Sequence, residues 1–288
     1  MKAVLRQLAR MSVLVLAAGL ATALLVRWSP GALIDEREMD QRLSAESLAS
    51  LRAENAANRS VSVVLMRYFR GLAHGDLGYS ESNHTPIAAL IADRAPVTLQ
   101  EISAGLLGAW LLGLGFAIPA GRFRQAWAYD AAVSTGAGLL LTFPAALLAY
   151  LCLAAGAKSN IVLILVLAPR IFRFSRNLLV QAYGATHVQM ARVRGIPEFR
   201  ILAAHVLPST TPQLLALAAA SISMAIGAAI PIEAICDVPG LGRLAWQAAM
   251  ARDLPLLVNL TMLIALATTA AMAVSKSFEP PMDADARR

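Results

Sequence analysis

Residues 212–236 read PQLLALAAASISMAIGAAIPIEAIC and carry one charged side chain, Glu233. A helix that crosses a bilayer needs roughly 20 mostly apolar residues, because each advances about 1.5 Å through a hydrocarbon core about 30 Å thick. This stretch meets that length, with its single acid near one end. Working outward, segments of the same character occupy 8–26, 97–120, 131–155, 160–174 and 254–275. The segment 160–174 is the shortest, since Arg170 and Arg173 interrupt it, and its helix is expected to run on past the bilayer. Proline falls inside or at the ends of several spans (Pro119, Pro144, Pro231), which membrane helices tolerate better than soluble ones.

The whole composition agrees with that reading. Of 288 residues, 15% are charged and 58% hydrophobic, and the mean hydropathy is +0.60. A soluble domain carries about 25% charged residues, so an ordinary cytosolic protein is excluded, and a disordered chain would be poor in apolar residues. The net charge of +7, beside so much apolar sequence, points to a membrane surface and not to nucleic acid. Two cysteines, Cys152 and Cys236, make neither a disulfide framework nor a four-ligand zinc site. In or near spans, they read as small apolar packing residues.

The fold expected is an all-α membrane protein of about six transmembrane helices. An N-terminal helix (1–26) precedes an extracytoplasmic segment (27–96). A five-helix core (97–275) contains a loop at 177–211, and a tail follows (276–288). The start, Lys2, Arg6 and Arg10 before an apolar run, also describes a signal peptide, with Ala21-Thr22-Ala23 as a cleavage-like site. The run continues through Leu24, Leu25 and Val26, so a retained helix is expected. With the N-terminus inside, residues 1–10, 121–130, 170–211 and the tail hold fourteen basic against five acidic residues. That bias places both termini in the cytoplasm. In the outside segment Ser44 can cap a short helix over 45–57, and Gly71, Gly75 and Gly78 punctuate a turn region around His74.

Several chemistries are missing from the chain. There is no G-x-x-x-x-G-K-[ST] phosphate loop, no H-E-x-x-H, no G-x-S-x-G and no C-x-x-C. His74, His84, His187 and His205 are scattered over both sides, so no metal ligand set is expected. Two acids, Glu101 and Glu233, lie at the edges of apolar segments. They either sit near the headgroups or line a vestibule. Gly136, Gly138, Ala228 and Ala229 suit helix packing or pore lining equally.

The loop is the most informative part: residues 177–212 read NLLVQAYGATHVQMARVRGIPEFRILAAHVLPSTTP. Leu179, Tyr183, His187, Met190 and Ala191 follow helical spacing, Arg192, Arg194 and Arg200 add charge, and Gly195-Ile196-Pro197 breaks the helix. A second short helix carries Ile201, Leu202 and Val206 toward Pro208. Physically, such an elbow is either a lever docking in a groove of another subunit or an amphipathic element lying on headgroups.

The stretch resembles the cytoplasmic coupling loop of bacterial ABC importer permeases, E-A-A-x-x-x-G, nine residues, then I-x-L-P. Here that pattern falls on Gln189, Met190, Ala191, Gly195, His205, Leu207 and Pro208. The wording of the dipeptide, oligopeptide and nickel branch is closer, matched at Ala191, Arg192, Gly195, Glu198, Arg200, Leu202 and His205. Residues 233–244, EAICDVPGLGRL, resemble the branch's E-T-V-F-x-W-P-G-L-G-R-L, with Val238 in place of tryptophan. Residues 251–255, ARDLP, resemble its A-R-D-Y-P, and 75–80, GDLGYS, its G-D-L-G-x-S, while Ser29-Pro30-Gly31 is a worn form of its P-G-D-P.

The resemblance implies a transport subunit, not an enzyme, in the bacterial inner membrane. It implies a second permease of distinct sequence, two ATPase subunits that carry ATP and Mg, and an extracytoplasmic solute-binding protein. Gln189, Ala191, Arg192, Gly195, Glu198, Arg200, His205, Leu207 and Pro208 would form the ATPase-coupling loop. Asp76, Glu233, Pro239, Gly240, Gly242, Arg243, Arg252 and Asp253 would form an outer vestibule or meet the binding protein. No cofactor and no metal are expected in this chain itself. The rival readings are a stand-alone secondary transporter working through Glu101 or Glu233 and a non-transporting membrane assembly subunit.

Overall fold

A computed structural model describes residues 2–28, 76–122 and 127–278. The expected helix at 45–57 with Ser44, the Ser29-Pro30-Gly31 and Gly71–Gly75 turns, His74 and the end of the tail lie outside the described residues. The helices are α1 (Lys2–Trp28), α2 (Ile87–Arg122), α3 (Trp127–Thr142), α4 (Ala145–Ala154), α5 (Ser159–Gly184), α6 (Thr186–Val193), α7 (Glu198–Ile201), α8 (Leu207–Ile235), α9 (Leu241–Met250) and α10 (Leu254–Phe278). A π turn, Leu202–Val206, joins α7 to α8, so Glu198–Ile235 is one rod. Its wide turn lies where the ring of Pro208 would strike the carbonyl four residues back in a regular helix. Among the described residues the only β pairing is an isolated bridge between Tyr79 and Pro86.

Three of these helices are long and apolar enough to cross a membrane: α2, the α7–α8 rod and α10. The pair α3 and α4, bent by 98°, makes a fourth. The single span expected over 131–155 is therefore broken. Pro144 stands at the break with no N–H to give, and a residue before proline is disfavoured in the helical region, so Phe143 and Pro144 fall outside both helices. The other two expected spans are helical but fall short in apolar length: α1 offers Arg10–Leu25, and α5 carries Arg170, Arg173 and Arg176 from its middle onward. Helix α2 begins ten residues before the expected 97, with Pro96 inside it. Asp93 is exposed in that extension.

The packing of α2 on α5 organises the core. Gly105 faces Leu163, Gly113 faces Ile171 and Gly121 faces Leu179, a constant offset of 58 residues. Both numbers rise together, so the two helices run parallel. The chain must therefore return across the membrane between them, and α3 with α4 is that return despite its bend. On α2 the contact face is Gly105, Ala109, Gly113, Ala117 and Gly121, all buried and four residues apart. Small residues at that spacing let helix backbones approach closely, which replaces the hydrophobic drive that lipid cannot supply. On α5 the large knobs Leu163, Leu167, Ile171 and Leu179 fill the gap. Helix α8 joins this core through Leu217, Ala225 and Ile232, and Trp110 of α2 donates its indole N–H to Ser221 Oγ at 3.1 Å. Helix α1 lies against α10, where Gly19 and Ala23 meet Val258 and Met262.

Candidate functional site

Two polar constellations stand at opposite ends of α8, about 40 Å apart at 1.5 Å per residue. The first is the loop. Helix α5 ends at Gly184, Ala185 takes an extended conformation, and α6 starts a new direction. Helix α6 closes on Gly195, whose φ is +74°. The Gly195 N–H donates to Arg192 O at 2.9 Å and the Ile196 N–H to Ala191 O at 3.2 Å, the paired bonds of a glycine-terminated helix. An ideal side chain at Gly195 would meet nothing within 4 Å. Backbone strain in the left-handed region, and not a clash within this chain, makes glycine the fitting residue there.

Charges lock the elbow. Arg192 grips Glu198 in a forked pair, Nε to Oε1 at 2.7 Å and Nη2 to Oε2 at 3.3 Å. Arg192 also lies over the Tyr183 ring, 5.5 Å from its centre, and Gln189 donates to Tyr183 O at 2.9 Å. Arg122, at the end of α2, reaches Glu198 at 3.9 Å. The elbow is thus tied to a spanning helix as well as to itself. Its inner face (Val188, Ala191, Ile201, Val206) packs on Leu179, Tyr183 and Phe172. Its outer face leaves Val193 83%, Phe199 81% and Met190 58% exposed, with exposed Arg194 and Arg200 among them. His205 is half-buried, its ring 6.4 Å from that of His187. Leu207 is half-buried and Pro208 exposed at the start of α8. Sequence spacing had put Met190 on the apolar face with Tyr183; the structure puts Val188 there and turns Met190 out, because the break at Ala185 resets the helical phase.

The second constellation gathers three motifs far apart in sequence. Glu233, 0% exposed, accepts the Gly242 N–H at 2.7 Å, while Thr98 Oγ1 accepts the Leu241 N–H at 2.7 Å. Together they occupy the N-terminus of α9, where unpaired N–H groups and the helix dipole favour a carboxylate. Added side-chain atoms at Gly240 would run into Glu233 and Thr98, and at Gly242 would come within 2.6 Å of Ile230 Cα. Asp253, 1% exposed, accepts bonds from Ser80 Oγ (2.5 Å), Ser82 N–H (3.0 Å) and Ser82 Oγ (2.8 Å). Its second oxygen accepts the Leu256 N–H at 3.1 Å, the N-terminal cap of α10. Burial pushes the Asp253 carboxyl up, but these donors outweigh it and hold the group below its ordinary value of 3.8. Asn259 adds a bond to Leu77 O at 3.0 Å, and Asp76 Oδ1 turns the chain by accepting the Gly78 N–H at 2.8 Å.

Four of the residues expected at an outer vestibule are therefore interior: Glu233, Gly240, Gly242 and Asp253 are buried, with both oxygens of Asp253 and Oε2 of Glu233 bonded at helix ends, while Glu233 Oε1 is buried without a hydrogen-bond partner among the described residues. Asp76, Pro239 and Arg252 are exposed, and Arg243 is half-buried, paired with Asp237 at 2.7 Å. Glu101 is half-buried, and its Oε1 has no hydrogen-bond partner among the described residues. No group of three metal-ligating side chains occurs among the described residues. Gly136 and Gly138 face open space, whereas Ala228 and Ala229 are buried. The stripe of small residues on α2 is a feature the sequence reading passed over, although its five positions at a spacing of four are visible in the sequence alone.

Residues 111–283 match the family described as binding-protein-dependent transport system inner membrane component. Among curated relatives, a putative peptide transport system permease protein of Brucella abortus (strain 2308) is 28% identical over 238 residues, covering 74% of this chain and 76% of its own. A putative peptide permease protein of Brucella suis biovar 1 is 26% identical over 265 residues, covering 82% and 80%. A nickel import system permease protein of Staphylococcus aureus (strain USA300) is 24% identical over 279 residues, covering 91% and 85%. The matched region runs from mid-α2 through the elbow and α9 to α10, which holds most of both constellations. The chain belongs to the family of binding-protein-dependent inner-membrane transport components, the permease subunits of ABC importers.

Proposed function

We propose that this chain forms half of the translocation path of an importer for peptides, nickel or related small solutes, driven by separate ATPase subunits that dock on the elbow. Both termini then face the cytoplasm, and a distinct second permease completes the path. The observation that carries this reading is the elbow's exposed apolar face, Met190, Val193 and Phe199, on an element bound to α2 through Arg122 and Glu198. A large apolar patch ringed by arginines suits a protein groove. Closure of two ATPases, which bind ATP and Mg on their own chains, would move the elbow as a rigid body and tilt α2 and α8 with it. At the far end, Asp76, Pro239, Arg243 and Arg252 are the side chains placed to meet a solute-loaded binding protein. The tied acids Glu233 and Asp253 would keep that surface in shape without touching the partner.

The test is the intact importer in proteoliposomes carrying Gly195→Glu. The expected outcome is ATPase activity retained and solute uptake lost, with the variant inserted at the wild-type level. Normal uptake by that variant overturns the coupling role. A tagged wild-type chain that purifies alone, and takes up solute without any ATPase, overturns the importer mechanism itself.

A further inference from the structure

One face of α5 is left over by this account. Arg170, Arg173 and Arg176 follow one another at three-residue spacing, so they share a side of the helix. Arg176 is held by Asp130 of α3, Nε to Oδ1 at 2.6 Å. Arg170 and Arg173 are exposed and have no acidic partner among the described residues. Two cavities open along this face. One, of about 440 Å³, is lined by Asp130, Ser134, Gly138, Arg173, Arg176 and Asn177. The other, of about 540 Å³, lies between the bend at Phe143-Pro144, Arg170 of α5 and Met224, Gly227 and Pro231 of α8.

Depth makes the arrangement unusual. With the 58-residue offset between α2 and α5, Arg170 is level with Leu112. That is eight residues inside the apolar stretch 97–120 of α2, about 12 Å at 1.5 Å per residue. A guanidinium so deep is costly against lipid and is placed by default in a bundle interior or an aqueous path. Three guanidiniums against one carboxylate leave the groove with an excess of two positive charges among its lining residues. Arg also presents a planar fork that matches a carboxylate.

We propose that the α3–α5–α8 groove is the loop-side half of the translocation path, and that Arg170 and Arg173 are its specificity residues, favouring solutes with a free carboxylate or another compact anionic group. This rests on the importer reading above and deepens it. A solute entering from the end that holds Glu233 and Asp253 would leave the apolar bend at Pro144 and pass its anionic group from Arg170 to Arg173. Arg176, neutralised by Asp130, would let it go. Stepwise hand-over between sites of moderate affinity permits release, where one deep site would trap the solute.

The experiment uses the complete importer in phosphatidylcholine nanodiscs, with Cys152→Ser and Cys236→Ser removing native thiols. Cysteine is introduced by Arg170→Cys, or by Ser134→Cys, which faces the same groove and keeps both arginines. Labelling is followed with an anionic and a cationic water-soluble methanethiosulfonate, each rate divided by its rate on a free thiol. The expected result is that both positions label and that the anionic reagent leads by roughly 10-fold, the scale on which a charged cleft concentrates counter-ions. Adding Arg173→Gln to Ser134→Cys should abolish that lead. Labelling without charge preference, or reaction only with a lipid-soluble maleimide because the groove faces acyl chains or lipid headgroups, overturns the proposal. So does a Ser134→Cys thiol sealed in every nucleotide state. ATPase stimulation by the loaded binding protein, measured on the same preparation, reports the importer reading separately. Its presence with no anion preference sinks only this proposal, and its absence with the preference intact sinks only that reading.

Discussion

At the residue scale the acids explain more about architecture than about chemistry. Glu233 and Asp253 both sit at the start of a helix and both collect N–H donors from it. At Asp253 both carboxylate oxygens are bonded, and each of those bonds is charge-assisted. Asp253 makes the tie sensitive to acid. Its folded carboxyl titrates below 3.8, so the stabilisation is fully present above that value and is lost as pH falls through the lower folded value. Protection factors at the Ser82 and Leu256 amides, each exchange rate taken against the intrinsic rate at the same pH, are expected to fall only below about pH 4, and Asp253→Asn to remove that step. Protection factors independent of pH in the wild type would refute the assignment. Gly242→Ala sets a side chain against the Ile230 backbone, which cannot move aside. A loss of about 1–3 kcal/mol is expected, as for other overpacked sites, read as a lowered Tm in mild detergent.

At the element scale, the parallel pair α2 and α5 decides the topology. Their contact needs glycine on one side and a branched or long apolar side chain on the other. Gly113→Leu is expected to drive the helices apart, since even its first carbon would lie 2.7 Å from Ile171 Cγ2 and 3.2 Å from the Phe172 backbone nitrogen. A cost of about 1–3 kcal/mol follows, visible as lower yield and Tm. Gly115, two residues on, meets nothing within 4 Å. Gly115→Leu should therefore leave folding of this chain unchanged. Equal damage from both substitutions would mean the stripe is not the contact that matters. The bend at Pro144 belongs to this scale too. It opens the space in which the larger cavity lies.

For the whole molecule, the two constellations are joined by helices rather than loops. The elbow is clipped to α2 by Arg122 and continues directly into α8, while Thr98 of α2 and Glu233 of α8 meet at the far end on α9. A displacement at the elbow thus reaches the Thr98–Glu233 site along two stiff elements. Arg122 and Glu198 are each partly exposed, so their contact adds little stability, less than about 1 kcal/mol. Its removal is expected to show in coupling instead. Arg122→Ala and Glu198→Gln should keep Tm within a few degrees and raise the ATP consumed per solute imported. A double variant no worse than either single one would confirm that the two act as a pair. Strict additivity would separate them.

Class and organisation were legible in the residue string, because a 3.6-residue helix in lipid leaves a simple record: long apolar runs, flanking arginines and glycine at a forced turn. The elbow at Gly195, the break near Pro197, and the resemblance of the loop to importer permeases all rest on such local facts, whereas the break at Pro144 does not, since a proline inside a span is compatible with a continuous membrane helix. What the string could not reveal was pairing at a distance. Nothing near Asp253 announces Ser80, 173 residues away. Nothing near Glu233 announces Thr98, and a buried cap and an exposed vestibule acid read alike in one dimension. The arginines of α5 were legible only as an interruption of a span. Tertiary packing put them on one side of a groove, at a depth where an unpaired charge needs water or a partner. Local conformation follows from neighbouring residues, whereas burial and charge balance depend on which helices pack together, and that is decided by side-chain volumes across the whole bundle.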